Sequence, residues 1–317
     1  MIRILIATLL TLLAAAAHAE DTYPARTVEV VVPFTPGGGA DVVGRVIAER
    51  LSEVLHQRFV VINRPGASTN IGTATVANAP ADGYTLLLAS IAFTANPALY
   101  RKLSYAQKDF APIALIANSP SILVVNPSLP VKSVGELVAY LKAHPGEWNF
   151  ASYGAGSSAH LAAGLFEDVT GTTMQHVPYS GGGPATLAVI RGEVQMLFSS
   201  VIGVGPQIVN GAVRPLAVAA QARTSNLPDV PTLREQGIDC LNGTWFGLLA
   251  PAKTPPEIIA KLNAAVTEVM RSDLVRRRIA EQGAELVGGS PEDFARFIKE
   301  ETDRLSAMIR RANIHLD

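Results

Sequence analysis

The feature that most constrains the fold of this chain is a repeated unit. An apolar, β-branched run ends in a glycine-rich loop and gives way to apolar residues at helical spacing. Residues 28–34 form the first run and pass into Pro36-Gly37-Gly38-Gly39. Val43, Ile47, Leu51 and Val54 then recur three or four apart, with Arg45, Glu49 and Arg50 between them. Units of strand, loop and helix predict an α/β fold with largely parallel sheets. Residues 59–62 and 85–89 read as further strands, the second after the turn at Asp82-Gly83. A second series begins with a strand at 122–125. A helix follows, opened by the capping pair Ser133 and Glu136 and running through Leu141, and then strands at 148–151, 173–177, 194–198 and 214–219. Gly171, Gly192 and Gly211 read as C-terminal caps of the intervening helices. The proline-rich stretch 227–231 ends this series, and 244–250 reads as a strand returning to the first. Long helices close the chain, one of them opened by Ser290-Pro291-Glu292-Asp293. The organisation expected is therefore two α/β domains, residues 20–120 plus 240–317 and residues 121–239. A double crossing between them makes a hinge beside a cleft.

Ahead of this pattern lies a segment of different character. Met1-Ile2-Arg3 gives a positive start, residues 4–16 an apolar run, and Ala17-His18-Ala19 a small-x-small cleavage signature, which together predict a secretory signal peptide over residues 1–19. The run of 13 residues falls short of the roughly 20 that span a bilayer, so a retained anchor fits less well. Cleavage removes Arg3 and no acid, leaving 25 basic against 27 acidic side chains and a net charge of −2. Such a balance gives no reason to expect nucleic acid, and an anion would have to be recognised by local donors such as helix N-termini rather than by a global field. Cys240 is the single cysteine and cannot form an internal disulfide, so it is expected as a small buried residue. His18, His56, His144, His160, His176 and His315 have no metal-ligand spacing, and neither a metal nor a cofactor is expected.

Three loops carry the functional signal. In Pro33-Phe34-Thr35-Pro36-Gly37-Gly38-Gly39-Ala40-Asp41, the glycines allow positive φ and a close approach of backbone N–H groups to an anion at the positive end of the following helix. A tight strand-to-helix turn accounts for the same glycines. Nucleotide loops fit poorly, since G-x-x-x-x-G-K-[ST] is absent and Val42 stands where G-x-G-x-x-G needs its third glycine. Ser152-Tyr153-Gly154-Ala155-Gly156-Ser157-Ser158 repeats the arrangement with hydroxyls added, Ser157 or Ser158 also suiting an ordinary N-cap. Tyr179-Ser180-Gly181-Gly182-Gly183-Pro184 is the third, with Tyr179 placed either to cover a ligand or to pack. Asp41 suits the first turn of its helix, where negative charge is favoured. Trp245 and Phe246 lie in an apolar strand and read as core rather than ligand wall. Ser157 with His160 does not make a hydrolase, because the G-x-S-x-G elbow is missing and three residues along a helix is poor geometry for a base to reach its nucleophile.

Over nearly its full length the sequence resembles the tripartite tricarboxylate transporter substrate-binding family, the Bug receptors. The resemblance rests on the signal peptide, the 33–41 loop with Arg45, Asn63-Arg64-Pro65-Gly66-Ala67, Asp82-Gly83-Tyr84, and residues 153–161. It extends to His176-Val177-Pro178-Tyr179 and to Leu227-Pro228-Asp229-Val230-Pro231-Thr232 with Glu235 and Gly237. It implies a periplasmic-binding-protein (Venus flytrap) fold in the periplasm of a Gram-negative bacterium. The receptor is expected as a monomer that captures a small di- or tricarboxylate or aromatic acid and delivers it to the membrane permease subunits of a tripartite transporter. A ligand-sensing co-receptor for a membrane signalling protein is the alternative. The candidate ligand-binding residues are Pro36, Gly37, Gly38, Gly39, Ala40, Asp41, Gly154, Ala155, Gly156, Ser157, Ser158, His160, Tyr179, Gly181 and Ser199, with no catalytic residue among them. Gln195 and Ser199 stand where acids often occur in relatives, which leaves fewer groups to neutralise a ligand ammonium and argues against an amino acid.

Overall fold

The computed structural model describes residues 23–281 and 283–311. The expected signal peptide lies outside the described residues. Two sheets share one strand. In the first, β1 (Val28–Val32) pairs in parallel with β2 (Phe59–Asn63) and β3 (Thr85–Ser90), and β3 pairs antiparallel with β9 (Gly243–Pro251). In the second, β5 (Asn149–Ser152) pairs in parallel with β6 (Gln175–Pro178) and β7 (Met196–Ser200). The shared strand is β4 (Phe110–Val125). Its first part, to Pro120, pairs antiparallel with β9, and residues 121–125 pair antiparallel with β7 and with β8 (Arg214–Val218). A short β10 (Glu285–Leu286) adds to β4 at Ala117 and Asn118. Parallel pairing thus holds within each strand-helix series and fails at the crossing strands. The reason is geometric: a strand that runs through both sheets in one pass can be joined to its returning partner only antiparallel.

The new strand expected at 122–125 is the distal end of this single 16-residue strand. Pro120 sits where the partner changes, opposite Gly243. Proline has no ladder N–H to lose there. A Cβ at Gly243 would lie 2.8 Å from Ser119 O and 3.2 Å from Pro120 Cα, so the two crossing strands touch backbone to backbone.

Helices cover both faces of each sheet, which explains why the strands are apolar on both sides. On one face of the first sheet, Val30, Val32 and Leu88 pack with Val43, Ile47 and Leu51 of α1 (Gly39–Val54) and Leu262, Val266 and Val269 of α8 (Pro256–Arg271). On the other, Val31, Leu87 and Leu249 meet α3 (Ile91–Leu99) and Phe294, Ile298, Leu305 and Ile309 of α10 (Pro291–Arg311). α2 (Asn70–Ala77) follows β2, and α9 (Asp273–Glu281) precedes β10. In the second sheet, Leu123 and Val125 face α4 (Val134–Ala143) and α5 (Ser158–Thr170). Ile122 and Val124 face α6 (Gly182–Arg191) and α7 (Val201–Val209).

Among the fully buried core residues described, two side chains break this division. Leu161 of α5 and Ile202 of α7 are buried in the clusters of the opposite lobe, at 0% and 1% exposure, and so fasten the lobes together. The caps fall largely as read. Gly171 and Gly192 end α5 and α6 in the left-handed conformation, and Gly211 follows the Asn210 cap of α7 with φ +74°. Ser133 Oγ accepts from Glu136 N–H, while the Glu136 carboxylate accepts from Lys132 N–H, one residue earlier than a capping box requires. Cys240 is buried, and burial pushes its thiol up to about 12.

Candidate ligand-binding site

Five strand-to-helix turns point their helix starts at one place between the lobes. Gly38 and Gly39 at the start of α1, Ser90 and Ile91 at α3, Ser157 and Ser158 at α5, Gly182 at α6 and Ser200 at α7 line a single cavity. Phe34, Ala40, Tyr153, Thr244 and Phe246 complete its wall. Its volume is about 30 Å³, room for a water or two. The first-turn N–H groups of a helix have no partner within the helix, and here most have none from a cap. Gly38, Ser90, Gly181 and Ser200 cap their helices without a side-chain hydrogen bond, and only Ser157 Oγ accepts one, from His160 N–H at 3.4 Å. Among the described residues, no charged side chain lines the cavity. At about half an elementary charge per terminus, five converging helices supply on the order of two positive charges, enough to offset a dicarboxylate.

The glycines are explained by how closely the lobes approach. A Cβ on Gly38 would lie 3.3 Å from the Cα and N of Gly182, and one on Gly39 would lie 2.8 Å from Ile202 Cγ2 and Ser200 Oγ. Thr35 N–H donates to Ser180 O across the cleft at 3.4 Å. The third loop is therefore half of a backbone-on-backbone clasp with the first.

Of the sequence-predicted residues, Gly38, Gly39, Ala40, Ser157 and Ser158 line the cavity. Pro36, Gly37 and Gly181 belong to the clasp, Gly37 with φ +89° and Gly181 packed against Thr35 Oγ1. Gly154, Ala155 and Tyr179 line an adjoining chamber, and Gly156 packs on Leu99. Asp41 is turned into its own loop. Its carboxylate accepts from Gly37 N–H at 3.1 Å and Asn63 Nδ2 at 3.0 Å, and pairs with Arg45 at 2.9 Å. Burial opposes its ionisation, and the hydrogen bonds from Arg45, Asn63 and Gly37 outweigh it and hold the carboxyl below its ordinary range. Asp41, Arg45 and Asn63 thus hold the shape of the first loop.

His160 also supports a loop: its Nδ1 accepts from Gly156 N–H at 3.1 Å, and its ring stacks on His176 with centroids 4.3 Å apart. Burial lowers the pKa of both rings, and with His160 alongside, His176 falls to about 4. Ser199 Oγ accepts from the Tyr153 hydroxyl at 2.7 Å and lies behind the wall. Sequence reasoning missed Phe34, Ser90, Ile91, Tyr153, Gly182, Ser200 and Thr244 as cavity wall, and it preferred core to ligand wall for Phe246, which is both. Ser90 and Ser200 end strands that run straight into helices without a glycine between them, so position at the carboxyl end of a strand was the only signal they carried.

Among the described residues, no group of three or more His, Cys, Asp or Glu is placed to hold a metal. No helix among them is long and apolar enough to cross a membrane.

Comparison with known proteins bears on the fold and the family of the chain. The chain is similar to BugT of Bordetella pertussis, 38% identical over 95% of this chain and 94% of that one. It is similar in structure to an R. palustris protein solved with adipate, with a TM-score of 0.90 and 38% identity over 93% of this chain and all of that one. MatC from Rhodopseudomonas palustris, solved with bound malate, has a TM-score of 0.87 and 34% identity over 90% of this chain and all of that one. These neighbours have the two-domain periplasmic-binding-protein fold. A family model described as tripartite tricarboxylate transporter family receptor matches residues 43–314, and the chain belongs to that family of solute-binding receptors.

Proposed function

We propose that this receptor captures a small carboxylate without a required ammonium group, by closure of two lobes over it, and releases it chemically unaltered. The observation that carries the reading is the convergence of five helix N-termini, four without a side-chain cap, on a cavity with no charged wall. Donors of that kind suit an anion that arrives without its own cation. The carboxylates bound by two structural neighbours support the ligand class. We read residues 20–120 with 240–317 as one domain and 121–239 as the other, with the hinge at the contact of Pro120 with Gly243. The sites proposed are the cavity wall and the clasp.

A cavity of about 30 Å³ is too small for a diacid of about ten heavy atoms, so the lobes part to take one up. Ser157 and His160 are occupied in capping and in loop support, which favours capture over catalysis. Family membership supports a periplasmic location and delivery to the membrane subunits of a tripartite transporter, which we propose the receptor meets as a monomer. Native mass spectrometry of the purified protein, followed by calorimetry with candidate acids and their amides, tests the reading. Binding of acids, a smaller radius of gyration in small-angle scattering and recovery of unchanged ligand are expected. Stronger binding of amides or amino acids refutes it.

A further inference from the structure

We propose that His160 is a proton-sensitive latch on the closed state: the lobes hold ligand while its ring is neutral, and its protonation frees the loop ahead of α5 and discharges the ligand. This rests on the reading of closure over a carboxylate above and adds to it a control by pH. The loop between β5 and α5 is pinned at two backbone N–H groups, and each pin depends on a histidine. Gly154 N–H donates to Ser152 Oγ at 3.1 Å, and that oxygen lies 2.6 Å from His176 Nε2. Gly156 N–H donates to His160 Nδ1 at 3.1 Å. A backbone N–H can only donate, so Nδ1 keeps its lone pair and the ring is neutral, with its proton on Nε2. Stacking fixes the plane of the ring: Phe150, His176 and His160 lie one on the next, with successive centroids 4.9 and 4.3 Å apart and planes 15° from parallel.

A proton on Nδ1 sets two donors against each other. Buried Gly156 then has an N–H without an acceptor, and a positive charge stands in the first turn of α5, where the helix dipole disfavours it. Among the described residues no carboxylate bonds either ring. The acids of α5 are Glu167 and Asp168, about two turns further along, and Glu167 is engaged by Met174 N–H at 2.6 Å. From the loop, the Tyr153 hydroxyl is turned to Ser199 and Ser200, while β5 presents Phe150 and Ser152 and β6 presents His176. Burial lowers the pKa of His160, and a charge on either stacked ring opposes a charge on the other.

The pinned loop faces the first lobe, which ties the latch to closure. A Cβ on Gly156 would overlap Leu99 Cδ1 and lie 2.9 Å from Asn96 Oδ1, and one on Gly154 would lie 3.1 Å from Ser68 Oγ. Leu161, the neighbour of His160, is buried in the first-lobe cluster, and Ser157 and Ser158, which follow the loop, line the cavity. With the lobes closed the loop has one position, and that position demands a neutral His160. Once the lobes part, these contacts are gone, water reaches the first turn of α5, and the ring returns towards its ordinary pKa of about 6.5. Protons therefore favour the open state, so affinity is full above about pH 6.5 and falls as the pH drops below it.

The test is calorimetry with adipate and malate at about pH 7.5 and about pH 5, on the unmodified protein and on His160→Asn, together with an NMR titration of the His160 ring with and without the better-bound acid. Asparagine keeps an acceptor oxygen near the place of Nδ1 and does not titrate, and the titration of the acid itself is common to both proteins. The unmodified protein is expected to lose about tenfold or more in affinity beyond any loss in His160→Asn, and the His160 pKa to be lower with the acid bound. His160→Asn is expected to bind at about pH 7.5 within about threefold of the unmodified protein, and where it does not fold the shift of the His160 pKa on binding decides. Equal losses in the two proteins, tighter binding in acid, or a His160 pKa unchanged or raised by the ligand overturns the latch and leaves carboxylate capture standing. Failure of the unmodified protein to bind either acid at about pH 7.5 overturns that reading and this proposal with it.

Discussion

Ile202 is a side chain of one lobe buried in the core of the other, and its truncation isolates the energetics of closure. The residue is 1% exposed, packed among the first-lobe cluster that includes Ala40 and Phe246, with Cγ2 2.8 Å from the Cβ position of Gly39. Parting the lobes returns it to water. Ile202→Ala removes three carbons, and at about 0.8 kcal/mol per buried methylene the closed state loses about 2 kcal/mol relative to the open one. If the open state dominates without ligand, apparent affinity falls by the full factor of roughly 30. If closure is already well populated, part of the loss is absorbed before the ligand arrives and the fall is nearer tenfold.

Calorimetry with the best-bound acid and scattering at saturating ligand read this directly. The melting temperature without ligand should move little, because the open state never held the contact. Val204→Ala is the internal control: Val204 is fully buried on the same helix but in the cluster of its own lobe, so that variant should melt earlier and bind almost as before. If the two variants behave alike, or if Ile202→Ala binds within about twofold of the unmodified protein, Ile202 is an ordinary core residue and the closure argument fails.

Gly38→Val places a branched side chain where a bare Cβ already lies 3.3 Å from Gly182, so closure should be blocked and calorimetric binding abolished while circular dichroism stays unchanged. Ser157→Ala should weaken binding by about 1–3 kcal/mol if its hydroxyl meets the carboxylate. It should also cost about 1 kcal/mol of stability through the lost cap, so a lowered melting temperature with unchanged affinity confines the residue to capping. His176 is held neutral in the fold, with its pKa depressed from 6.5 to about 4 by burial and by neighbouring His160. A depressed histidine pKa means that protonation favours the unfolded chain, so stability should be full above about 6.5 and fall as pH drops from there towards 4. A melting profile equally steep in His176→Gln over that range contradicts this. Cys240, buried with its thiol raised to about 12, should resist thiol reagents in the native state and react after denaturation.

What the sequence disclosed and what it withheld follow from the range of the interactions involved. The first loop and the α1 stripe of Val43, Ile47 and Leu51 were legible because glycine freedom and helical periodicity are local properties. Ser157 was legible as a cap for the same reason. The crossing was harder to place: residues 110–120 contain Pro112 and Pro120, which argue against a central strand on propensity alone, yet they run as one strand with 121–125. The pairing that overrides propensity there is with β9, more than a hundred residues away. Phe246 reads as core and is core, but it also walls the cavity, because the ligand space is cut into the seam between two cores. Asp41 shows the converse. It stood among the candidate ligand-binding residues although its charge suits the first turn of its helix, and its oxygens are taken by Gly37, Arg45 and Asn63, the last of which arrives from β2. A carboxylate held away from the cavity leaves the helix ends free to act on an anion. That outcome depends on Asn63 and Arg45 together, and no spacing within the loop encodes it.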